Sequence, residues 1–196
     1  MSPAGRRREQ VLETLRRLAA QGATQAADAM GRLLGRVTTV DEVRLLEGPD
    51  PQGVVRMVGR PDQEFVAIAM ELQEPLGGRL VLLLSAEEAE LISQRMVPDA
   101  VAGSLDVVGE SALVEMGNIA GSAFVSALAV RLQARMVHGV PRLTRGGARA
   151  CLDTLAPGTA GPALAVRLGC PEPIGTLLLL PDPARLDGLA RVLEIP

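Results

Sequence analysis

The side chains best suited to chemistry in this chain are a carboxylate and an amide, Glu115 and Asn118, which stand one helical turn apart. Asn118 is the only asparagine in 196 residues. Asparagine is a mediocre helix former because its amide competes for backbone hydrogen bonds, so a lone asparagine in the middle of a helix needs a reason. An amide both accepts and donates hydrogen bonds. We therefore predict that both side chains act on one target docked against the helix.

Most other catalytic units depend on residues that are scarce in this chain. It has no lysine, and His138 is its only histidine. Cys151 and Cys170 are its only cysteines, and no Cys-x-x-Cys pair, Walker loop or dinucleotide-binding glycine pattern occurs. We expect two buried thiols rather than a disulfide, and a structural role for His138 within a strand. The residue types do not form a metal-site pattern.

The overall composition limits the classes of ligand and compartment. The net charge is −3, only 1% of the residues are aromatic, and no basic patch alternates with aromatic residues, which argues against nucleic acid as the main ligand. No apolar run approaches the roughly 20 residues of a membrane span, and the N-terminus lacks the apolar stretch of a signal peptide. We therefore predict a soluble, cytoplasmic protein without membrane insertion, in which residues 1–8 form a disordered tail.

A helix over residues 111–133 must position the carboxylate and the amide. Its helical spacing places polar side chains on one side, namely Ser111, Glu115, Asn118, Ser122, Ser126 and Gln133. The opposite side is an apolar stripe that would face a core, formed by Leu113, Met116, Ala120, Ala123, Phe124 and Ala127.

The first half of the chain has a regular series of predicted elements. A helix over 9–34 ends at Gly35. Strands are predicted over 37–46, 54–59, 64–72 and 79–84. Ser85, with Glu88 three residues later, forms a capping box that opens a helix over 85–96.

The same series then repeats, because a shift of 98 residues superimposes the two halves without a gap. Glu-Pro-Leu-Gly at 74–77 falls on Glu-Pro-Ile-Gly at 172–175. The second copy predicts strands near 135–143, 148–155, 163–169 and 175–180, and a helix near 183–193. We predict an α+β fold: a single domain over 1–196, made of tandem pseudo-symmetric repeats at about 9–96 and 107–194, with long helices packed on a mainly antiparallel sheet.

The two copies differ at the residues suited to chemistry. The shift places Arg17 opposite Glu115, Ala20 opposite Asn118 and Val43 opposite Pro141. A structural role for the carboxylate and amide would be expected in both copies, whereas a functional role can survive in one. This internal comparison favours a functional role.

The same residues carry a resemblance to a known family. Ser111, Glu115, Asn118 and Pro141, with gaps of three, two and 22 residues, resemble the signature of the CheC-type chemotaxis phosphatases, the family of CheC, CheX and FliY. The segment over 115–122, Glu-Met-Gly-Asn-Ile-Ala-Gly-Ser, is similar to the Glu-Ile-Gly-Asn-Ile-Gly-Ala-Gly core of that family. The resemblance covers nearly the whole chain, since the family is itself a tandem repeat of this unit.

The resemblance implies hydrolysis of the aspartyl phosphate of a CheY-like response regulator. Asn118 would position the attacking water, and Glu115 would pair with a lysine of the regulator. Ser111 would cap or position the start of the helix, and Pro141 would shape the adjacent strand. The chain would bring no cofactor of its own, because Mg²⁺ would come bound to the regulator. A single site is expected, since the first copy departs from the motif.

Two other functions stay open on the sequence. The chain could be a non-catalytic adaptor of the chemotaxis or flagellar switch, similar to the middle domain of FliM, that binds a response regulator. It could also be a regulatory protein that binds a CheD-like deamidase. The intact Glu115 and Asn118 pair weighs against a pure adaptor.

Overall fold

The computed structural model describes residues 3–46, 63–98, 106–147, 150–151, 161–170 and 172–193, in which helices cover one face of a six-stranded sheet. In chain order the elements are α1 (Pro3–Leu34), β1 (Thr39–Leu46), β2 (Glu64–Glu71), β3 (Arg79–Ser85), α2 (Ala86–Met96), α3 (Val107–Leu132), β4 (Arg142–Gly147), β5 (Ala163–Cys170), β6 (Glu172–Leu180), a 3₁₀ turn (Pro183–Arg185) and α4 (Leu186–Val192). In the described residues, each half of the chain thus contains a long helix, three strands and a shorter helix, in the same order.

The strand order shows how the two copies combine. It runs β1-β5-β6-β3-β2-β4, and every neighbouring pair is antiparallel. Exchanging the copies reverses this order, so a pseudo-two-fold axis passes between β6 and β3. The first strand of each copy pairs with the second strand of the other copy. Neither copy has a complete sheet by itself, and the predicted α+β fold of two pseudo-symmetric repeats on a mainly antiparallel sheet is confirmed.

Side chains alternate across the central strands, and both faces of the sheet are buried. Val66, Ile68 and Met70 of β2 face the helices, together with Leu80 and Leu82 of β3. The other face has its own smaller core, which consists of Phe65, Ala67, Val81, Leu83, Cys151, Ala165 and Leu178. Burial on both faces explains why β3 is a continuous apolar run rather than an alternating one.

The long helices pack on each other and on the sheet. The predicted core-facing stripe of α3 is wrong at Ala123 and Ala127, which are half-buried and line an open groove between the two helices. In α1 the buried side chains include Leu15, Ala19, Ala26 and Met30. In α3 they include Leu113, Met116, Ala120 and Phe124, all 0% exposed. The predicted helix stop is confirmed at Gly35, whose φ of 64° lies in the left-handed region that glycine tolerates.

Two features of the first copy test the sequence predictions directly. The capping box of α2 is confirmed: Glu88 N–H donates to Ser85 Oγ at 3.1 Å, and Ser85 N–H donates to the Glu88 carboxylate at 2.6 Å. The predicted disordered tail over 1–8 is wrong from residue 3 onward, because α1 begins at Pro3. Proline is favoured in the first turn, where no intrahelical N–H bond is lost, and arginine is a good helix former.

The second copy departs from the predicted strands in one place. The strand predicted near 135–143 is wrong over most of its length, because only an isolated bridge joins His138 to Leu72 and β4 begins at Arg142. The bridge consists of two backbone hydrogen bonds, from Gly139 N–H to Glu71 O at 2.8 Å and from Gln73 N–H to Val137 O at 3.1 Å. The ladder does not continue at Pro141, which has no N–H to donate. The strand predicted over 54–59 and most of that over 148–155 lie outside the described residues, and residues 150–151 are helical.

The apolar character of α3 also corrects an expectation. Among the described helices, it alone is long and apolar enough to cross a membrane, so the prediction that no stretch approaches that length was wrong. It is a core helix, however, because one side is buried against α1, α2 and β2. Packing inside the domain therefore accounts for its apolar composition.

Candidate functional site on helix α3

The start of α3 is fixed by a residue that the motif does not include. Asp106 is the N-cap, and its carboxylate accepts the Gly109 N–H at 2.8 Å. Ser111 lies in the second turn, where its exposed hydroxyl donates to Val107 O at 2.9 Å. The expected capping role of Ser111 is therefore wrong, because Asp106 is the N-cap and Ser111 bonds to a carbonyl within the helix.

Glu115 and Asn118 lie on the outer side of α3 with unused hydrogen-bonding capacity. The Glu115 side chain is exposed and Asn118 is half-buried. Within the described residues, neither side chain forms a hydrogen bond or an ion pair. Their donors and acceptors are therefore available to a partner docked on this side of the helix.

Two glycines bring this part of α3 close to the sheet. A Cβ at Gly117 would lie 2.6 Å from Ile68 Cγ2, and a Cβ at Gly121 would overlap the Met70 thioether. Only glycine fits such close approaches without moving the neighbouring side chain. Because Asn118 directly follows Gly117, its position depends on this contact with β2.

A hydrogen-bonded pair that the sequence did not reveal lies one turn after Asn118. Ser122 Oγ is 2.9 Å from His138 Nε2, and His138 Nδ1 is 2.8 Å from Gly139 O. A carbonyl oxygen can only accept, so Nδ1 carries a hydrogen and donates it. In the neutral imidazole, Nε2 is then the acceptor and the Ser122 hydroxyl is the donor. The ring of His138 therefore contacts the outer side of α3, while the structural role predicted for it stays a prediction.

The loop that follows α3 ends at the fourth residue of the motif. Pro141 is half-buried and directly precedes β4, the edge strand of the sheet, where a missing N–H is tolerated. Arg145 of β4 pairs with Glu110 in the first turn of α3 at 2.5 Å. The structure thus brings α3 and the loop over 133–141 together, while the functional role of Pro141 stays a prediction.

An open groove between α1 and α3 continues the outer side of α3. Its volume is about 570 Å³, and its lining residues are Gln21, Thr24, Gln25, Arg32, Ala123, Ser126, Ala127, Val130 and Arg131. Ser126 lies one turn beyond Ser122 on the same side of α3. The groove therefore adjoins the surface that carries Glu115 and Asn118.

The equivalent surface of α1 is occupied by side chains that bind each other. Glu13, at the position of Ser111, pairs with Arg16 at 2.9 Å and lies 3.8 Å from Arg17, at the position of Glu115. The hydrogen bond from Arg16 lowers the pKa of Glu13. The Thr24 hydroxyl, at the position of Ser122, donates to Ala20 O at 3.0 Å. The first copy therefore presents no unpaired carboxylate and amide at these positions.

Thiol and metal chemistry find no support in the described residues. The thiol of Cys151 is buried and unpaired by any disulfide, as predicted, and it lies 3.5 Å from Gly146 O. Burial raises the pKa of Cys151, and the Glu64 charge adds to this effect, which disfavours the nucleophilic thiolate. No group of three or more His, Cys, Asp or Glu residues that could hold a metal occurs in the described ranges.

No protein-family model matches the sequence, and no curated protein matches it. FliY from Thermotoga maritima is similar in structure, with a TM-score of 0.69, 17% identity, and 99% of this chain and 98% of FliY covered. CheX from Desulfovibrio desulfuricans has a TM-score of 0.58 at 11% identity, with 83% and 97% covered. FliM from H. pylori, solved with SpeE, has a TM-score of 0.62 at 10% identity, with 94% and 95% covered. This chain therefore has the fold shared by FliY, CheX and CheC-like proteins, which FliM also has.

Proposed function

We propose that this protein is a cytoplasmic phosphatase of chemotaxis signalling that hydrolyses the aspartyl phosphate of a CheY-like response regulator. One observation carries the proposal. Glu115 and Asn118 stand unpaired on the outer side of α3, whereas α1 has an ion pair and an alanine at the equivalent positions. The fold, shared with CheX and FliY, is consistent with this activity.

Asn118 has the chemistry that aspartyl-phosphate hydrolysis requires. Phosphoryl transfer to water needs little covalent help from the catalyst, so positioning and electrostatics supply most of the acceleration. The amide oxygen of Asn118 can accept a hydrogen from the attacking water, and its NH₂ group can donate to a phosphoryl oxygen. A carboxylate at this position would repel the phosphoryl group, which explains why the amide and not Glu115 is assigned to the water.

Glu115 has the chemistry of a docking residue. Its exposed carboxylate, one turn before Asn118, would pair with an ammonium group of the regulator and fix the angle at which the two proteins meet. Mg²⁺ belongs to the phosphorylated regulator, which arrives as the substrate. The groove between α1 and α3 extends the area available for contact beyond the two side chains.

The proposal is tested by the decay of a phosphorylated CheY-like regulator in Mg²⁺ buffer, with and without this protein. We expect acceleration by wild type and a loss of about 10²–10³-fold in kcat for Asn118→Ala. Glu115→Ala should raise KM and weaken binding measured by calorimetry. Glu87→Gln, an exposed change on α2 outside this surface, is the control. Absence of acceleration by wild type would reject the phosphatase function.

A non-catalytic adaptor is the second candidate, favoured by the similarity to FliM, which was solved in complexes with SpeE and with FliG. An adaptor would bind the phosphorylated regulator, or a CheD-like partner, without changing its phosphate lifetime. Binding that depends on Glu115, together with identical decay for wild type and Asn118→Ala, would establish this function in place of the first.

A further inference from the structure

We infer that Ser122 and His138 complete the hydrolytic site: the Ser122 hydroxyl binds the attacking water beside Asn118, and His138 receives the proton through it. This inference rests on the proposed phosphatase function and assigns two further residues to it. Ser122 is the catalytic residue, because it would touch the water. His138 acts through Ser122 and positions it.

The spacing on α3 allows both side chains to reach one water molecule. Asn118 and Ser122 are four residues apart, which places their Cβ atoms about 5–6 Å from each other on one side of the helix. A single water can bridge side chains at this separation. Its two hydrogens would go to Asn118 Oδ1 and Ser122 Oγ, so the lone pairs of its oxygen remain free to face the phosphorus.

The hydrogen bonds of His138 determine which atom donates and which accepts between Ser122 and His138. Nδ1–H donates to Gly139 O, so Nε2 accepts the Ser122 hydroxyl hydrogen at 2.9 Å. With its hydrogen directed to the ring, the exposed Ser122 oxygen turns its lone pairs outward and can accept from water. The Gly139 carbonyl also stabilises the ring after it gains a proton, because Nδ1–H then carries part of the positive charge.

The step balances without any further reactant. The water oxygen bonds to phosphorus, and the bond from phosphorus to the aspartyl oxygen breaks, leaving its electron pair on the carboxylate of the regulator. One water proton passes to Ser122 Oγ while the Ser122 proton passes to His138 Nε2. The products are inorganic phosphate and an imidazolium, which returns its proton to solvent.

Protonation of the His138 ring should make kcat depend on pH in one direction. Two charged groups lie on neighbouring strands: Glu71 on β2, whose backbone carbonyl accepts the Gly139 N–H, and Arg79 on β3, which lies 3.8 Å from the Glu71 carboxylate. Glu115 lies on α3, and Arg135 belongs to the same loop as His138. A ring that is already protonated cannot accept the proton. The contribution of the pair to kcat should therefore be smaller at acidic pH than at alkaline pH.

The first copy supports a functional reading of the pair. Thr24 replaces Ser122 and donates to the α1 backbone, while Val40 stands at the position of His138. The hydroxyl and imidazole are thus absent from the copy that lacks the carboxylate and amide. A pair needed only to hold the loop on the long helix would be expected in both copies.

The experiment measures kcat and KM for phosphorylated-regulator decay with Ser122→Ala, His138→Gln and His138→Asn, after thermal melts confirm that each variant is folded. We expect Ser122→Ala to lower kcat by about 10- to 100-fold with KM unchanged. His138→Gln keeps an acceptor for Ser122 but cannot take a proton, whereas His138→Asn keeps only the donor to Gly139 O. Glutamine should therefore retain more kcat than asparagine, and less than histidine.

The pH profile separates proton transfer from a structural role. The ratio of wild-type kcat to His138→Gln kcat, taken from about pH 5.5 to 8.5, cancels the regulator's own pH dependence. We expect this ratio to rise with pH. A flat ratio, or unchanged kcat in Ser122→Ala, would overturn the inference while leaving the phosphatase function intact. Failure of wild type itself to accelerate decay would overturn both.

Discussion

Helices α1 and α3 are equivalent elements of the two copies, yet they use their outer sides in opposite ways. On α1, Arg17 and its neighbours form ion pairs with Glu13, and Ala20 carries no functional group. On α3, Glu115 and Asn118 have no partner among the described residues. Both helices nevertheless bury the same apolar stripe. The fold therefore requires the inner side of this helix and leaves the outer side free to vary, so the carboxylate and amide are not structural necessities.

The inner sides also differ, in a way that affects the site. At the positions of Ala19 and Ala23 in α1, α3 has Gly117 and Gly121. The glycines let α3 approach Ile68 and Met70 of β2 more closely than a Cβ would permit. The helix that carries the candidate site thus approaches β2 through glycines at positions where α1 has alanines, and Asn118 directly follows one of them.

Making α3 resemble α1 should have the largest effect. Glu115→Arg combined with Asn118→Ala removes both proposed contacts and places a cation against the regulator's ammonium group, so dephosphorylation should fall at least about 100-fold, to the rate of the regulator alone. Regulator decay and direct binding are the measurements. Arg17→Ala on the other helix is the control and should leave both unchanged. An equal loss of dephosphorylation and binding in Arg17→Ala would show that α1 and α3 together form one surface that binds the regulator.

Making α1 resemble α3 should have a smaller effect. Arg17→Glu and Ala20→Asn would supply the pair, and Glu13→Ser is needed because two glutamates four residues apart repel each other. In an Asn118→Ala background, this triple change should restore hydrolysis to a rate roughly 10-fold below wild type, since Val40 cannot replace His138. Recovery of the full wild-type rate would show that the imidazole is dispensable.

The sequence predicted those features of the two helices that depend on residues close together in the chain. Helical periodicity identified both stripes, and the capping box and Gly35 marked helix ends, because each depends on residues a few positions apart. The exchange of first strands between copies depends on pairing across the whole chain. The contact between Ser122 and His138 depends on the path of a loop whose pairing with Leu72 no local pattern specifies.

Packing beneath the site should respond to one added methyl group. Gly117→Ala places a Cβ against the stiff, branched side chain of Ile68, and we expect a loss of about 1–2 kcal/mol in unfolding free energy after the better helix propensity of alanine is included. Gly121→Ala meets the flexible end of Met70 and should be closer to neutral. Urea unfolding measures both. If Gly121→Ala is the more damaging change, the close approach of α3 is not limited by Ile68.

The smallest expected effect concerns the short helices that follow β3 and β6. Glu88 closes the capping box of α2, whereas Leu186 stands at that position in the second copy, where Asp182 instead accepts the Ala184 N–H at 2.9 Å. Burial raises the pKa of Glu88 above its ordinary value of 4.5, although hydrogen bonds from Ser85 oppose this effect. The folded state thus binds the Glu88 proton more tightly than the unfolded state does.

It follows that wild-type stability contains a contribution from Glu88 that is present below pH 4.5 and is lost as the pH rises through the raised pKa of the folded state. Glu88→Gln keeps a capping side chain but cannot ionise, so this pH dependence should disappear from its unfolding free energy. At neutral pH the variant should be within about 1 kcal/mol of wild type. Glu87→Gln, in the same turn but outside the cap, is the control. If the unfolding free energies of both variants have the same pH dependence from acidic to neutral pH, Glu88 does not cause a difference in stability between α2 and the short helix of the second copy.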